Sequence, residues 1–298
     1  MQQGDTVAVV APSGPVDAVQ LGRGVERLEE IGLKVVVGAH VLDRQELPYL
    51  AGSDTGRAAD LQAAWCDPAV AAVFCARGGY GAARLLGLLD WELMRAAGPK
   101  VLLGSSDITA LHQAFGAELG VPTLHGPMPG SALLAAEPGP EPVTWDHLRA
   151  ALFEAPAAPV VGDRVLAPGR AEGVLAGGNL SLLASLCGTR HQPSFAGRIA
   201  LLEDIGEEPY RIDRMLTQLL QAGAFAGVRG IALGSWVDCG DPYPVLRDRL
   251  LPLGVPILAG LPVGHGSPQM SVWLGALGVI DTESCSLTGP FWNEEQAR

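Results

Sequence analysis

Short apolar runs alternate with helix-like segments through the first 126 residues of this chain, and few folds accommodate that alternation. "TVAVVAPSG" reads as a strand ending in a turn, and "DAVQLGRGVERLEEIG" as an amphipathic helix closed by Gly32. "LKVVVG" is a second strand, "GRAADLQAAWCD" a helix and "AVAAVFCA" a third strand. After "RGGYG" the pattern predicts a helix over "AARLLGLL", a strand at "KVLLG", a helix over "DITALHQAFGAEL" and a last strand in "VPTLHG". Buried strands alternating with helices imply a parallel sheet with right-handed crossovers. The chain is therefore expected to be α/β, and its ligands belong beyond the carboxyl ends of the strands. That rule gathers Arg77–Gly81, Ser105–Asp107 and His125 at one rim.

From about residue 136 to 168 the texture changes to a stretch rich in Pro and Ala with one short helical segment, expected to connect two domains. The expected division is an N-terminal domain over 1–135, a linker over 136–168 and a second α/β domain over 169–298. In the second domain "RIALLED" and "RGIALGSW" read as strands, "YRIDRMLTQLLQAG" and "YPVLRDRLLPLG" as helices, and "VPILAGLPVGH" as a strand-like run.

Composition narrows the function. The formal charge is -12 and charged residues make up only 17% of the 298. Such an acidic chain repels nucleic acid and anionic membranes, so neither is expected as a partner. The N-terminus has no basic segment, its apolar run is too short for a secretory signal, and no stretch is long enough to span a membrane. A cytoplasmic protein acting on something small is expected. Five scattered cysteines, at 66, 75, 187, 239 and 285, include no CxxC pair, which argues against a disulfide framework and a zinc site.

One corner stands out. In "KVLLGSSDITALH" a strand stops at Gly104 and a helix follows Ser105, Ser106 and Asp107. A helix cap explains one serine and the aspartate. A nucleophile elbow explains the sharp corner as well, because it lifts a serine clear while the first backbone N–H groups of the helix meet the oxyanion. Ser106 is the better candidate and Ser105 the fallback. A serine needs a base. His40, His147 and His191 lie in helical or linker-like contexts, and His112 lies inside the helix after the serine. His125 in "LHGPM" and His265 in "VGHGSPQ" follow strand-like runs beside glycines, and His265 is the stronger choice. Glu203, at the end of "RIALLE", is the orienting acid, with Glu208 as the alternative. The glycine loop "ARGGYG" offers the N–H of Gly79 as an oxyanion donor.

Taken together, "VAPSGP", "ARGGYGAARLL", "GSSDITALH", "HGPM", "GGNLSLLASLCGT", "LLEDIGEEPYRIDRML" and "GLPVGHG" resemble the LD-carboxypeptidase family, the S66 serine peptidases that also include microcin C immunity peptidases. The resemblance runs from Val7 to about Asp281. It implies a flavodoxin-like N-terminal domain carrying the serine and a C-terminal domain carrying glutamate and histidine. By motif, Ser106 resembles the nucleophile, Glu203 the orienting acid and His265 the base, with backbone N–H groups of Gly79 and Asp107 at the oxyanion. The family's aromatic residue before the serine is Ser105 here. The resemblance implies no metal or organic cofactor, a homodimer, and cleavage of a terminal D-alanine from a murein tetrapeptide. Arg77, with Arg84 as a second choice, is a candidate for the substrate carboxylate, and Ser105 and His125 are candidates for substrate contact. A rival reading is a same-fold amidase acting on a peptide–nucleotide antibiotic. It calls for an aromatic residue to stack on the base, for which Trp236 and Trp273 are the candidates.

Overall fold

Strands buried on both faces dominate the first half. The computed structural model describes residues 1–154 and 158–289; parts of the expected linker (155–157) and of the expected second domain (290–298) lie outside the described residues. Strands β1 (Thr6–Val10), β2 (Lys34–Val37), β3 (Val70–Cys75), β4 (Val101–Gly104) and β5 (Thr123–His125) pair in parallel in the spatial order 2-1-3-4-5. That is the flavodoxin-like order. Helices α1 (Ala18–Glu30), α2 (Asp54–Cys66), α3 (Trp91–Ala96) and α4 (Thr109–Glu118) accompany the strands. Successive strand residues serve opposite faces. Along β3, Val73 and Cys75 join Trp65, Trp91 and Phe115 in one core, while Ala72 and Phe74 join Leu28, Leu103 and Leu148 in the other.

The second half forms a larger sheet. Strands β8 (Arg170–Asn179), β9 (Arg198–Ile205), β10 (Gly230–Val237) and β11 (Ile257–Ala259) are parallel neighbours. Helices α6 (Leu180–Ser185), α7 (Pro209–Gln221) and α8 (Tyr243–Leu250) lie between them in sequence. Antiparallel strands β13 (Leu277–Asp281), β14 (Ser286–Thr288) and β6 (Val160–Val161) extend one edge, and β7 (Arg164–Ala167) the other.

Three local expectations change. "AARLLGLL" is not a helix: only a 3-10 turn forms at Ala82–Leu85, where the Ala82 N–H is held by the Asp107 carboxylate and Leu85, Leu86 and Leu89 reach the core without one. The stretch 136–168 is more than a connection, since it supplies α5 (Pro142–Phe153) to the first core and β6 and β7 to the second sheet. The run "VPILAGLPVGH" is a strand only over β11, and the rest turns away as a loop.

The two halves also exchange structure. Strand β12 (Val272–Leu274) leaves the second half and pairs antiparallel with β5, placing Val272 beside His125. At the other contact Thr109, at the start of α4, accepts a hydrogen bond from the Asn179 N–H at 3.0 Å through its hydroxyl. In register, Asn179 stands next to Glu203. No helix among the described residues is long and apolar enough to cross a membrane.

Helix α1 fixes the rim of the first sheet through Gly24, where an added Cβ would lie 1.9 Å from the Pro129 carbonyl oxygen. Gly24→Ala is therefore expected to destabilise the fold by about 1–3 kcal/mol in urea unfolding. Gly22→Ala on the same helix, with nothing within 4 Å of the new methyl, is expected to be neutral or slightly stabilising.

Candidate active site

Ser106 sits between β4 and α4 in a left-handed backbone conformation, with φ of +61°. A side chain there is strained, and strain of this kind costs about 1–3 kcal/mol and persists only where the surroundings enforce it. Hydrogen bonds of the neighbouring Asp107 supply that enforcement. The Asp107 carboxylate, almost fully buried, accepts the Ser13 hydroxyl at 2.5 Å and the Ala82 N–H at 2.8 Å. It thereby binds the loops after β1 and β3 to the serine corner. Burial pushes the Asp107 carboxyl up, and its bonds to Ser13 and Ala82 and the charge of Arg57 pull against that. The buried Arg57 guanidinium adds hydrogen bonds to the carbonyls of Pro12 and Gly81 and pairs with Asp54. Gly78 must be glycine, since a Cβ there would lie 2.8 Å from the Ser106 Cβ.

Glu203 lies near the carboxyl end of β9 and is fully buried. Its Oε2 is 2.7 Å from His265 Nδ1, while the exposed Glu208 merely precedes α7. Gly264 allows the approach: with φ of +113°, an added Cβ would fall 2.4 Å from Glu203 Oε2. A bulge in β10 beside Glu203 turns Ser235 toward the same loop, where its hydroxyl oxygen accepts the N–H groups of His265 at 2.8 Å and Gly266 at 3.0 Å. Burial disfavours the charged His265 ring, but the hydrogen bond and charge of Glu203, with the charge of Asp204, outweigh it and raise the His265 pKa above 6.5. Asp204 accepts hydrogen bonds from the Asn179 side chain and the N–H groups of Ser181 and Ile205, and burial pushes it up to about 6.

Ser106, His265, Gly79, Arg77, Ser105 and Gln269 line one cleft of about 700 Å³. The Ser106 hydroxyl is not hydrogen-bonded to His265 across it. Arg77 donates to the Pro15 carbonyl at 2.9 Å, and Ser105 accepts from the Gln269 amide at 3.3 Å. Two expected contacts are not in the cleft. Arg84 is taken up in a salt bridge to Asp54 at 2.7 Å. His125 is fully buried behind Glu203, with His112 of α4 beside its ring and β12 paired along its strand, so it is not open to the cleft. Trp236 lines a separate cavity and Trp273 is a core residue of β12.

With this geometry in view, the comparisons with known proteins decide the family. Residues 7–126 match the model of the LD-carboxypeptidase N-terminal domain and residues 172–280 that of the LD-carboxypeptidase C-terminal domain. The chain belongs to the LD-carboxypeptidase family. A Streptomyces coelicolor relative in that family is 52% identical over 96% of this chain and 93% of its own length. The murein tetrapeptide carboxypeptidase of Pseudomonas aeruginosa is 34% identical over 92% of each chain. Among solved structures, the muramoyltetrapeptide carboxypeptidase from Oxalobacter formigenes superposes with a TM-score of 0.86 at 28% identity, over 97% of this chain and 100% of its own. An MccF-like protein from Bacillus anthracis does so with a TM-score of 0.86 at 27% identity, over 98% of both chains.

Sequence reasoning missed the Asp107 side chain, Arg57, Ser235 and Gln269 in this LD-carboxypeptidase family member. Arg57 left one signal, an arginine amid the apolar residues of "GRAADLQAAW". Ser235 left another, next to a glycine inside a strand, where bulges form. Histidine titration followed by NMR checks the His265–Glu203 pair. His265 is expected to titrate above 6.5 in the native protein and clearly lower in Glu203→Gln, where burial is opposed only by the charge of Asp204.

Proposed function

We propose that the chain is a serine LD-carboxypeptidase that removes the terminal D-alanine from murein tetrapeptides, with Ser106 as nucleophile, His265 as base and Glu203 as orienting acid. The observation that carries the reading is the shared cleft, which is lined both by a serine in a strained elbow and by a histidine bonded to a buried carboxylate. Because Nδ1 is occupied by Glu203, the other ring nitrogen, Nε2, receives the Ser106 proton as Oγ attacks the scissile carbonyl. Substrate binding brings the hydroxyl and the ring into contact. The N–H groups of Gly79 and Asp107 receive the developing oxyanion, where losing one donor typically costs about 2.7–4 kcal/mol. The protonated His265 then gives its proton to the departing amine of D-alanine. Water, deprotonated by the same ring, hydrolyses the ester and frees Ser106.

An exopeptidase must also hold a terminal carboxylate. Among the residues lining the cleft Arg77 is the one arginine or lysine, and its fork suits that anion. The residues lining the cleft include no Trp, Tyr or Phe to stack on a nucleobase, which favours the murein peptide over a peptide–nucleotide antibiotic. All five cysteines are free, in keeping with a cytoplasmic site of action. The homodimer rests on the family resemblance.

Mass spectrometry of murein tetrapeptide incubated with purified protein tests the reading. The native chain is expected to release one D-alanine, and Ser106→Ala to be slower by about 10⁴-fold or more. Release at the native rate by Ser106→Ala would remove Ser106 from the mechanism. In the same assay Arg77→Gln is expected to raise KM several-fold with a smaller change in kcat, and to have no such effect on a tetrapeptide whose C-terminus is amidated.

A further inference from the structure

Behind the proposed acid–base pair lies a second buried contact that the relay itself does not use. Glu203 has two carboxylate oxygens, and His265 occupies only Oε2. Oε1 is buried with no hydrogen-bond partner among the described residues, and the same holds for both ring nitrogens of His125. These orphans face each other: His125 Nε2 is 4.0 Å from Glu203 Oε1, and both side chains are fully buried. A carboxylate oxygen left unpaired away from water is costly, and so is an unpaired imidazole N–H. One bond pairs the carboxylate oxygen with the imidazole N–H and leaves only the weaker acceptor, His125 Nδ1, unpaired. An approach of about 1 Å brings the pair within hydrogen-bond range.

We propose that His125 is the positioning residue for Glu203: as the Nε2–H tautomer it donates to Oε1 and holds Oε2 on His265. The inference rests on the reading of Glu203 and His265 as the orienting acid and base. The groups facing His125 fix its state. From β9 comes the Glu203 carboxylate, which selects the tautomer with the proton on Nε2. From α4 comes His112, its ring centre 5.9 Å away, and from the loop after β11 comes His265. His112 donates through Nε2 to the Gly104 carbonyl at 3.0 Å and accepts the Thr123 hydroxyl at Nδ1, at 2.8 Å. Burial holds its pKa down to about 4, so it stays neutral. Burial, with the two neighbouring rings, likewise keeps His125 neutral. A neutral donor is what the site needs, since it draws far less of the carboxylate's negative charge away from His265 than a protonated imidazole would.

The sign of the effect follows. The His125 bond spreads the negative charge of Glu203 and so weakens its grip on a proton at His265. His125→Leu removes the donor and keeps an apolar side chain in the space. NMR titration of His265 is expected to rise by on the order of one pH unit in that variant, and the acid limb of kcat/KM on murein tetrapeptide to move up with it. KM is expected to stay near the native value while kcat falls about ten-fold. His125→Gln, whose amide N–H reaches toward the same oxygen, is expected to return the titration and the limb most of the way. If His125→Leu does not fold, His125→Asn takes its place with the same expected rise, its amide being too short to reach. A folded variant lacking the donor whose His265 titrates as in the native protein overturns the inference, and His125 is then a packing residue. Should the native protein trim no murein peptide while the titration still rises, the substrate reading fails and the positioning role stands.

Discussion

The site depends on how the start of α4 is seated against the second sheet. The Thr109 hydroxyl accepts the Asn179 N–H three residues after Ser106, and Asn179 is the register neighbour of Glu203. A short covalent path on one side and a strand pair on the other therefore relate the serine to the carboxylate. Asn179 is fixed in turn: its side chain donates to Asp204 and accepts from Ser181 and Leu182, which caps α6. No loop lies within this path, so the proposed nucleophile and orienting acid sit on elements that move only if the two halves separate. Strand β12 resists that separation, because parting the halves would strip β5 of an edge partner and expose His125 and Trp273.

Two unfavourable features are held by this frame. Ser106 keeps a left-handed backbone, and Glu203 keeps a carboxylate out of water. The first is enforced by Asp107, which gathers Ser13, Ala82 and the corner on a single carboxylate, and by the close pass of Gly78. The second is offset only on the side of His265 by a bond present in the structure. A buried carboxylate with one oxygen unpaired loses more to desolvation than one hydrogen bond returns. That imbalance draws the carboxylate toward any donor behind it.

Much of this was legible in the chain. Ser106, Glu203 and His265 each follow an apolar run, and parallel strands place such positions at the carboxyl-end rim of their own sheet, Ser106 on the first and the other two on the second. The flavodoxin-like character of the first half followed from the resemblance, while its alternation pointed to a parallel α/β sheet. The rest was hidden for a common reason. Arg57 and Asp107 sit in helix-like segments whose sequence shows spacing but not which carbonyls their side chains reach. Ser235 acts through a bulge, and a bulge is a relation between two strands. His125 has the glycine neighbour of a rim residue, yet it is buried because parts of the chain far along in sequence pack against it, Glu203 facing its ring and β12 pairing along its strand.

The packing of the second half against β5 gives His125 its chemistry. At the carboxyl end of β5 an uncovered histidine would meet solvent, titrate near its ordinary pKa and gain charge as the pH fell. Between α4 and the second half it is dry, and a dry imidazole stays neutral and looks for an acceptor. The acceptor within reach belongs to the second sheet. The crossover strand β12 joins the two halves mechanically, and the packing it accompanies turns a would-be surface residue of the first into a neutral hydrogen-bond donor for the carboxylate of the second.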